Sequence, residues 1–276
     1  MTETTQAIQT HYTHLGLLER ILGALKGAGS DPAKFSYDAL WPIDQLHERG
    51  IDGTKDQAEK AGLRPGMKVL DIGCGIGGAS RYLAAACGCQ VTGIDLTPAF
   101  IAVARELTTR SGLDNKIAYR EANALSLPFA ENSFDQVWTQ FVTMNIEDKA
   151  GLAREAARVL KPGGRFSCSE IGLGKPGPVT FPLPWASDPS ASFLVTPEAM
   201  RAALSAGGLR IVEEIDIGPI NLAYIRDMMQ RVERGEKPQQ LNQIVLGEGF
   251  PGRARNYAKA AADGLMVAHL IIAEKP

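Results

Sequence analysis

The 276-residue sequence predicts an α/β protein in which helices cover both faces of a mostly parallel sheet. Three observations support this prediction. From Met67 onward, short apolar strands alternate with amphipathic helices. The first of these strands runs into the pattern G-x-G-x-x-G at Gly73, Gly75 and Gly78, where a helix begins. The composition, 45% hydrophobic and 22% charged, is that of an ordinary globular protein.

The residues that precede the first strand predict helices. Residues 5–26 form an amphipathic pattern, with Ile21 and Leu25 on its apolar face, and the stretch GAGSDP ends it. A second helical stretch follows Pro42 and leads to the first strand. We therefore expect residues 1–62 to form a helical segment that covers the active site.

Five strands and three helices are predicted in the core, and each helix connects two strands. The strand sequences are KVLDIG, CQVTGIDL, KIAYREA, FDQVWTQF and GGRFSCSEI. The helix sequences are ASRYLAAAC, PAFIAVARELTTRSG and DKAGLAREAARVL. In a sheet of this kind, ligands bind beyond the carboxyl ends of the strands, where the strand order reverses.

The alternation breaks after Ile171. A long loop rich in Pro, Gly and Ser comes first, and a helix with Thr196 as its N-cap follows. The last two strands are LRIVEEIDIG and LMVAHLIIAEK. Residues 219–264 separate them, and an insertion of this length favours a lid over an idle loop. We expect a core at 63–218, the lid at 219–264 and the last core strand at 265–276.

Charge and cysteine content exclude several classes of partner. The 29 basic and 31 acidic residues leave a formal charge of −2, which argues against a nucleic-acid partner. The spacing of Cys74, Cys87, Cys89 and Cys168 suits neither a zinc site nor a disulfide framework. We expect reduced thiols and no metal. No signal peptide or long apolar span is visible, so we expect a cytoplasmic protein without membrane insertion.

The glycine pattern alone leaves two kinds of nucleotide-like ligand open. Asp95 ends the second strand and can accept hydrogen bonds from ribose hydroxyls, as an acidic residue does in NAD sites. Asp71 lies inside the first strand, two residues before Gly73. A carboxylate there is unusual for a nicotinamide site and suits a ligand that bears an ammonium group.

Two further stretches distinguish these ligands. In their order and spacing they resemble the motifs of class I S-adenosylmethionine (SAM) methyltransferases; their sequences are EANALSLPFAENSFDQVWTQ and ARVLKPGGRF. The resemblance extends from Arg64 to Gly218 and is greatest to the branch that methylates small molecules, which includes ubiquinone/menaquinone, tocopherol, sarcosine and natural-product methyltransferases. It implies a Rossmann-like, seven-stranded sheet and a helical lid. It also implies SAM as cofactor, S-adenosylhomocysteine as product, a small-molecule acceptor, and allows a homodimer.

The resemblance implies a set of cofactor-binding residues. The backbone of Gly73, Cys74 and Gly75 faces the methionine part, Asp95 binds the ribose, and Leu96 packs on the adenine. Asn123, with Ala124, stands where relatives often have Asp-Ala and contact the adenine amine. The remaining members are Asp71, Gln140 near the amino-acid end, and Tyr37 and Gln45 in the covering segment.

Methyl transfer from a sulfonium requires alignment and exclusion of water, and a base only when the nucleophile must lose a proton. His47, in the covering segment, and Glu170, near the end of the fifth strand, are the candidate catalytic residues. Many relatives carry a histidine after the fourth strand, whereas TQFVTMNIED contains none. His11 and His14 are expected on the surface and His269 in a structural role.

The acceptor-binding residues are expected in the lid and the long loop. Trp185, Phe193, Tyr224 and Met228 favour an apolar or aromatic acceptor. Three alternatives stay open at this point. One is a SAM-binding fold that has lost methylation and serves as a cyclase or partner-binding subunit. The others are an RNA or protein methyltransferase and an NAD-dependent oxidoreductase.

Overall fold

A seven-stranded sheet forms the centre of the computed structural model, which describes residues 16–236 and 241–276. Its strands are β1 (Lys68–Ile72), β2 (Gln90–Asp95), β3 (Ile117–Glu121), β4 (Phe134–Gln140), β5 (Leu160–Leu173), β6 (Arg210–Asp216) and β7 (Met266–Glu274).

The strand order is β3-β2-β1-β4-β5-β7-β6. Strands β1 to β5 pair in parallel, and β7 runs antiparallel to both β5 and β6. The order reverses between β1 and β4, so the carboxyl ends of these two strands open the crevice in which such sheets bind ligands. The predicted fold class, a mostly parallel Rossmann-like sheet, is confirmed.

Helices flank the sheet on both faces. They are α1 (Leu17–Gly27), α2 (Trp41–Asp44), α3 (Gly50–Ala61), α4 (Gly78–Ala85), α5 (Pro98–Arg110), α6 (Lys149–Val159), α7 (Pro197–Ala206), α8 (Gly218–Glu233), α9 (Gln243–Leu246) and α10 (Phe250–Ala262). Neighbouring residues of β1 point to opposite faces: Val69 packs in the cluster that includes α3 and α4, and Leu70 in the cluster that includes α6 and α7.

The helical stretch predicted after Pro42 is observed as two helices, with a break that the sequence did not predict. The chain forms the short α2, leaves helical geometry at residues 45–49, and re-enters a helix at α3. Arg49 adopts a left-handed backbone conformation, with φ of 61°, which a continuing helix does not allow. The break directs Leu46, His47 and Glu48 into the interior.

Three helices, α8, α9 and α10, connect β6 to β7 and account for most of the predicted insertion. The helix predicted at residues 5–26 is observed as α1, and its earlier part, with His11 and His14, lies outside the described residues. Among the helices of residues 16–236 and 241–276, none has both the length and the apolar character needed to cross a membrane.

Candidate active site

A cavity of about 1270 Å³ opens at the carboxyl ends of β1, β2 and β4. The loops that follow these strands form one wall. The lining also includes residues 44–48, which contact the glycine loop, and residues of the helices α8 and α10. The volume exceeds the range of roughly 300–1,000 Å³ that single small-molecule sites occupy, so the cavity has room for two ligands.

Backbone hydrogen bonds to β2 fix the glycine loop that follows β1. The N–H groups of Gly73 and Cys74 both donate to the carbonyl oxygen of Ile94, at 2.8 and 2.9 Å. Gly73 and Gly75 have φ values of 71° and 55°, which glycine adopts without strain. A side chain at Gly73 would meet Val142, whereas a Cβ at Gly75 would have only Leu46 Cδ1 nearby, at 3.7 Å.

Two carboxylates accompany this loop. Asp95 accepts hydrogen bonds from the backbone N–H groups of Gly75 (3.0 Å) and Thr97 (2.8 Å), which fix its orientation, and the Leu96 N–H and the Thr97 hydroxyl face the same carboxylate. Asp71 is buried and accepts from the Ser80 hydroxyl at 2.6 Å. Burial, with a smaller contribution from the nearby Asp95 charge, raises the pKa of Asp71 to about 7. A cation bound beside it would favour the carboxylate.

Most of the predicted cofactor-binding residues line this cavity. These are Asp71, Gly73, Cys74, Gly75, Asp95, Leu96, Asn123, Ala124 and Gln140. Tyr37 and Gln45 do not. The Tyr37 ring packs edge-on against Trp41, with centroids 5.9 Å apart. Gln45 is fully buried, where it donates to Asp44 and accepts from the Thr54 hydroxyl at 2.6 Å.

Two lining amides differ in what they offer a ligand. Asn123 lies in a turn in which its Oδ1 accepts from the Leu125 N–H at 2.9 Å, so its free Nδ2 is the group available to donate. The Oε1 of Gln140 lies 3.3 Å from the Thr54 hydroxyl, whose proton is donated to Gln45. Its buried Nε2 has no partner among the described residues and can donate to a ligand carboxylate.

A buried ion pair connects the covering segment to the glycine loop. Arg81, on α4, donates to Asp44 at 2.9 Å, and both side chains are excluded from solvent. The same guanidinium donates to the Ile76 carbonyl at 2.8 Å. Sequence reasoning missed this pair, because nothing in a single sequence relates residues 37 positions apart.

His47 faces the cavity as a neutral imidazole. Its ring stacks on Phe141, with centroids 5.6 Å apart, and its Nδ1 donates to the Glu48 carbonyl at 3.0 Å. Nε2 is therefore the acceptor nitrogen, 3.2 Å from the Thr54 hydroxyl. Burial lowers the pKa of His47 to about 4.

Glu170 lies behind the cavity wall and does not line it. Its carboxylate accepts from the Thr143 hydroxyl at 3.0 Å, and burial raises its pKa to about 7. The nearby ammonium of Lys149 donates to the carbonyls of Thr143 and Phe193, at 2.9 and 2.6 Å. The backbone of Phe193 thus belongs to this buried cluster, and its side chain does not line the cavity either.

Glu48, which sequence reasoning missed, lines the cavity from the covering segment. It accepts a hydrogen bond from Asn221 on α8, and the Tyr257 hydroxyl on α10 faces the same carboxylate. Burial raises the pKa of Glu48 to about 7. It follows directly after His47 and belongs to no motif, so the sequence carried no signal for it.

The part of the lining that α8, α10 and Trp185 form is mostly apolar. Trp185, Tyr224 and Met228, the predicted acceptor-binding residues, are among its side chains. The Trp185 indole packs edge-on against Tyr257, with centroids 5.9 Å apart, and its Nε1 donates to Ser192 at 3.0 Å. Further apolar lining residues are Ile171, Ile225, Met229, Val232, Leu246 and Phe250.

The charged residues that line the cavity are mostly acidic. The carboxylates are those of Asp44, Glu48, Asp71, Asp95, Glu121, Glu147 and Glu233. Arg255, at the exposed rim, is the one lysine or arginine among the described lining residues. An electrostatic field of this sign favours cationic ligands and opposes phosphorylated ones.

The fold is that of class I methyltransferases. Residues 70–168 match the family described as a methyltransferase domain, and the resemblance noted from the motifs is confirmed. The core of the chain therefore carries a methyltransferase domain.

Individual relatives support the same assignment. The chain is 34% identical over 151 residues to methyltransferase GfsG of Streptomyces halstedii, which covers 53% of each protein. It is 48% identical over 122 residues to the 2-methyl-6-phytyl-1,4-hydroquinone methyltransferase of Synechocystis sp., covering 44% of this chain and 36% of that one. The matched part of the chain thus spans about half of the length of GfsG and about a third of that of the hydroquinone methyltransferase.

A solved structure extends the likeness to the whole chain at the level of fold. Geranyl diphosphate methyltransferase in complex with GPP and sinefungin superposes with a TM-score of 0.73. The superposition covers 100% of both chains, at 21% sequence identity.

Proposed function

We propose that this protein is a SAM-dependent methyltransferase that acts on an apolar or aromatic small molecule without a phosphate group. The observation that carries the proposal is the pair of carboxylates, Asp71 and Asp95, beside a glycine loop in an acidic cavity. SAM bears an ammonium and a sulfonium group, which this field attracts. NAD would bring a pyrophosphate, which the same field opposes.

Different lining residues would bind different parts of SAM. Asp95 would accept hydrogen bonds from the ribose hydroxyls, and the Gly73–Gly75 backbone would hold the methionine part. Asp71 faces the ammonium group, and the Nε2 of Gln140 donates to the carboxylate. Leu96 and Ala124 pack on the adenine, with Asn123 at its edge. Bound SAM would supply the activated methyl group and a good leaving group.

The remaining space would hold the acceptor. The apolar side chains of α8 and α10, with Trp185, form a wall that excludes water and binds an aromatic or otherwise apolar molecule. A relative that methylates a phytyl hydroquinone is consistent with this choice of acceptor. We propose that α8, α9 and α10 act as the lid, because they cover the side of the cavity from which an acceptor would enter.

A methyl-transfer assay tests the proposal. The protein is incubated with SAM labelled in its methyl group and with separate probes: 1-naphthol, trimethylhydroquinone, 1-naphthylamine and 1-naphthyl phosphate. We expect labelled methyl product and an equal amount of S-adenosylhomocysteine with at least one uncharged probe. Transfer to 1-naphthyl phosphate in preference to 1-naphthol would contradict the acceptor class.

The alternative that SAM binds without methyl transfer makes a different prediction. In a cyclase or partner-binding subunit, SAM would bind and no probe would be methylated. An RNA or protein methyltransferase would transfer the label to RNA or protein and not to the small probes. The apolar lining argues against RNA as the acceptor, whereas it suits a small-molecule cyclase as well as a methyltransferase, so the assay distinguishes those two.

A further inference from the structure

Glu48 is the one carboxylate of the cavity that both lid helices hold. Its Oε2 accepts from Asn221 on α8, and the Tyr257 hydroxyl on α10 faces the same carboxylate. Its Oε1 is buried and has no hydrogen-bond partner among the described residues. An acceptor oxygen without a donor is costly in a buried position, and either the Tyr257 hydroxyl that faces the carboxylate or a ligand that donates a hydrogen bond satisfies it.

Other carboxylates of the cavity are already engaged. Asp44 pairs with Arg81, Asp71 accepts from Ser80, and Asp95 accepts from two backbone N–H groups. Glu121, Glu147 and Glu233 are exposed. Glu48 therefore differs from the other six by combining a buried, unpartnered oxygen with a position in the wall on the acceptor side.

From this geometry we infer that Glu48 is a catalytic residue that accepts the proton of an ionisable acceptor, a phenol or an amine, during methyl transfer. The inference rests on the proposed function. The lone pair of the acceptor oxygen or nitrogen forms the bond to the methyl carbon while the carbon–sulfur bond breaks. That bonding pair stays on sulfur, which becomes neutral. The acceptor proton moves to the Glu48 carboxylate and leaves to solvent after product release.

The groups around Glu48 suit this role. Arg49, its neighbour, forms an ion pair with Asp56 of α3 and acts on Glu48 only through its charge, and His47 is neutral. The carboxyl has a pKa of about 7 because burial opposes its charge, while Tyr257, Asn221 and Arg49 partly compensate. A base whose pKa lies near the working pH balances its availability as carboxylate against its basicity. Asn221 and Tyr257 act as positioning residues.

The test compares the wild type with Glu48→Gln, Glu48→Asp and a matched control, Glu59→Gln. Glu59 is an exposed glutamate on α3 whose side chain forms no hydrogen bond or ion pair with another described residue. The probes are 1-naphthol, trimethylhydroquinone and 1-naphthylamine, and turnover is measured from pH 5.5 to 9. SAM affinity of every variant is measured by calorimetry.

We expect the wild-type rate to fall as the pH drops below about 7, since Glu48 then becomes protonated. Glu48→Gln should lower turnover at pH 8 by 100-fold or more with SAM affinity within threefold of wild type. That factor lies in the range of roughly 10²–10⁴ that general-base catalysis contributes. Glu48→Asp should recover part of the loss, and Glu59→Gln should match the wild type.

A second readout distinguishes a base from a structural residue. Tyr257→Phe removes a hydroxyl that lowers the pKa of Glu48, so the acidic limb of the pH–rate profile should move to higher pH. Carbon NMR of the Glu48 carboxyl, assigned from the Glu48→Gln difference spectrum, should show the same shift in the absence of turnover.

Three results would overturn the inference: Glu48→Gln as active as the wild type, an acidic limb that survives this change, or SAM binding without methylation of any phenol or amine probe. Failure of the wild type to bind SAM would instead refute the proposed function.

Discussion

Replacing Gly75 by valine tests the cofactor loop with the least disturbance of the fold. Gly75 has a φ of 55°, and its neighbours leave space for a Cβ, since the nearest heavy atom is Leu46 Cδ1 at 3.7 Å. The cost to folding is therefore the backbone strain of a left-handed residue, about 1–2 kcal/mol. A loss of that size should lower Tm by roughly 2–8 °C in a protein of this length.

The cost to SAM binding should be much larger. Gly75 lines the cavity and donates its N–H to Asp95, so an isopropyl group there would occupy the space of the ligand. We expect the Kd for SAM to rise about 100-fold or more, which corresponds to about 2.7 kcal/mol. Calorimetry measures the affinity and a thermal melt measures the stability.

Gly112→Val is the matched control. Gly112 has a φ of 68° with no heavy atom within 4 Å of an added Cβ, and it follows α5, away from the cavity lining. This variant should lose a similar amount of stability and bind SAM as the wild type does. Wild-type affinity in Gly75→Val, or an equal loss of affinity in Gly112→Val, would refute the placement of SAM against the loop.

Three further predictions follow from the cavity. Asp95→Ala should weaken the binding of SAM and of S-adenosylhomocysteine equally, by about 1.5–3 kcal/mol, because both present the same ribose to this carboxylate. Calorimetry with the two ligands measures this, and a large difference between the two losses would place Asp95 near the sulfonium. Tyr224→Ala combined with Met228→Ala should reduce turnover of 1-naphthol while SAM affinity changes by less than about threefold, or about 0.7 kcal/mol; unchanged kinetics would make this helix face ordinary packing. The pKa of Glu48 rises from 4.5 to about 7 on folding, so the wild type should lose about 1–3 kcal/mol of its free energy of unfolding between pH 5 and pH 8. Glu48→Gln removes this titration and should not show that loss. Urea unfolding at the two pH values measures this, and an equal effect at both would mean that burial does not perturb Glu48.

Most of the sheet could be predicted from the sequence because its strands are short apolar runs with helices between them. The glycine loop and Asp95 were predicted for a similar reason, since each lies a fixed number of residues from a strand end. The resemblance to class I methyltransferases then supplied the identity of the ligand, which the glycine pattern by itself left open.

The part of the cavity lining formed by Glu48, α8 and α10 could not be predicted in the same way. Glu48 reaches the cavity because the chain leaves helical geometry before Arg49, and its partners Asn221 and Tyr257 lie more than 170 residues further along the chain. Glu170 failed to reach the cavity because Thr143 and Lys149 hold it in a buried cluster. Contacts between distant segments decide both outcomes, and a single sequence carries no local signal for them.

Calorimetric titration of the purified protein with SAM and, separately, with NAD⁺ tests the central claim most directly. The acidic cavity around Asp71 and Asp95 predicts one SAM site per chain and no measurable heat from NAD⁺ under the same conditions. Binding of NAD⁺ at that site, or the absence of SAM binding, would contradict the claim that this cavity holds SAM.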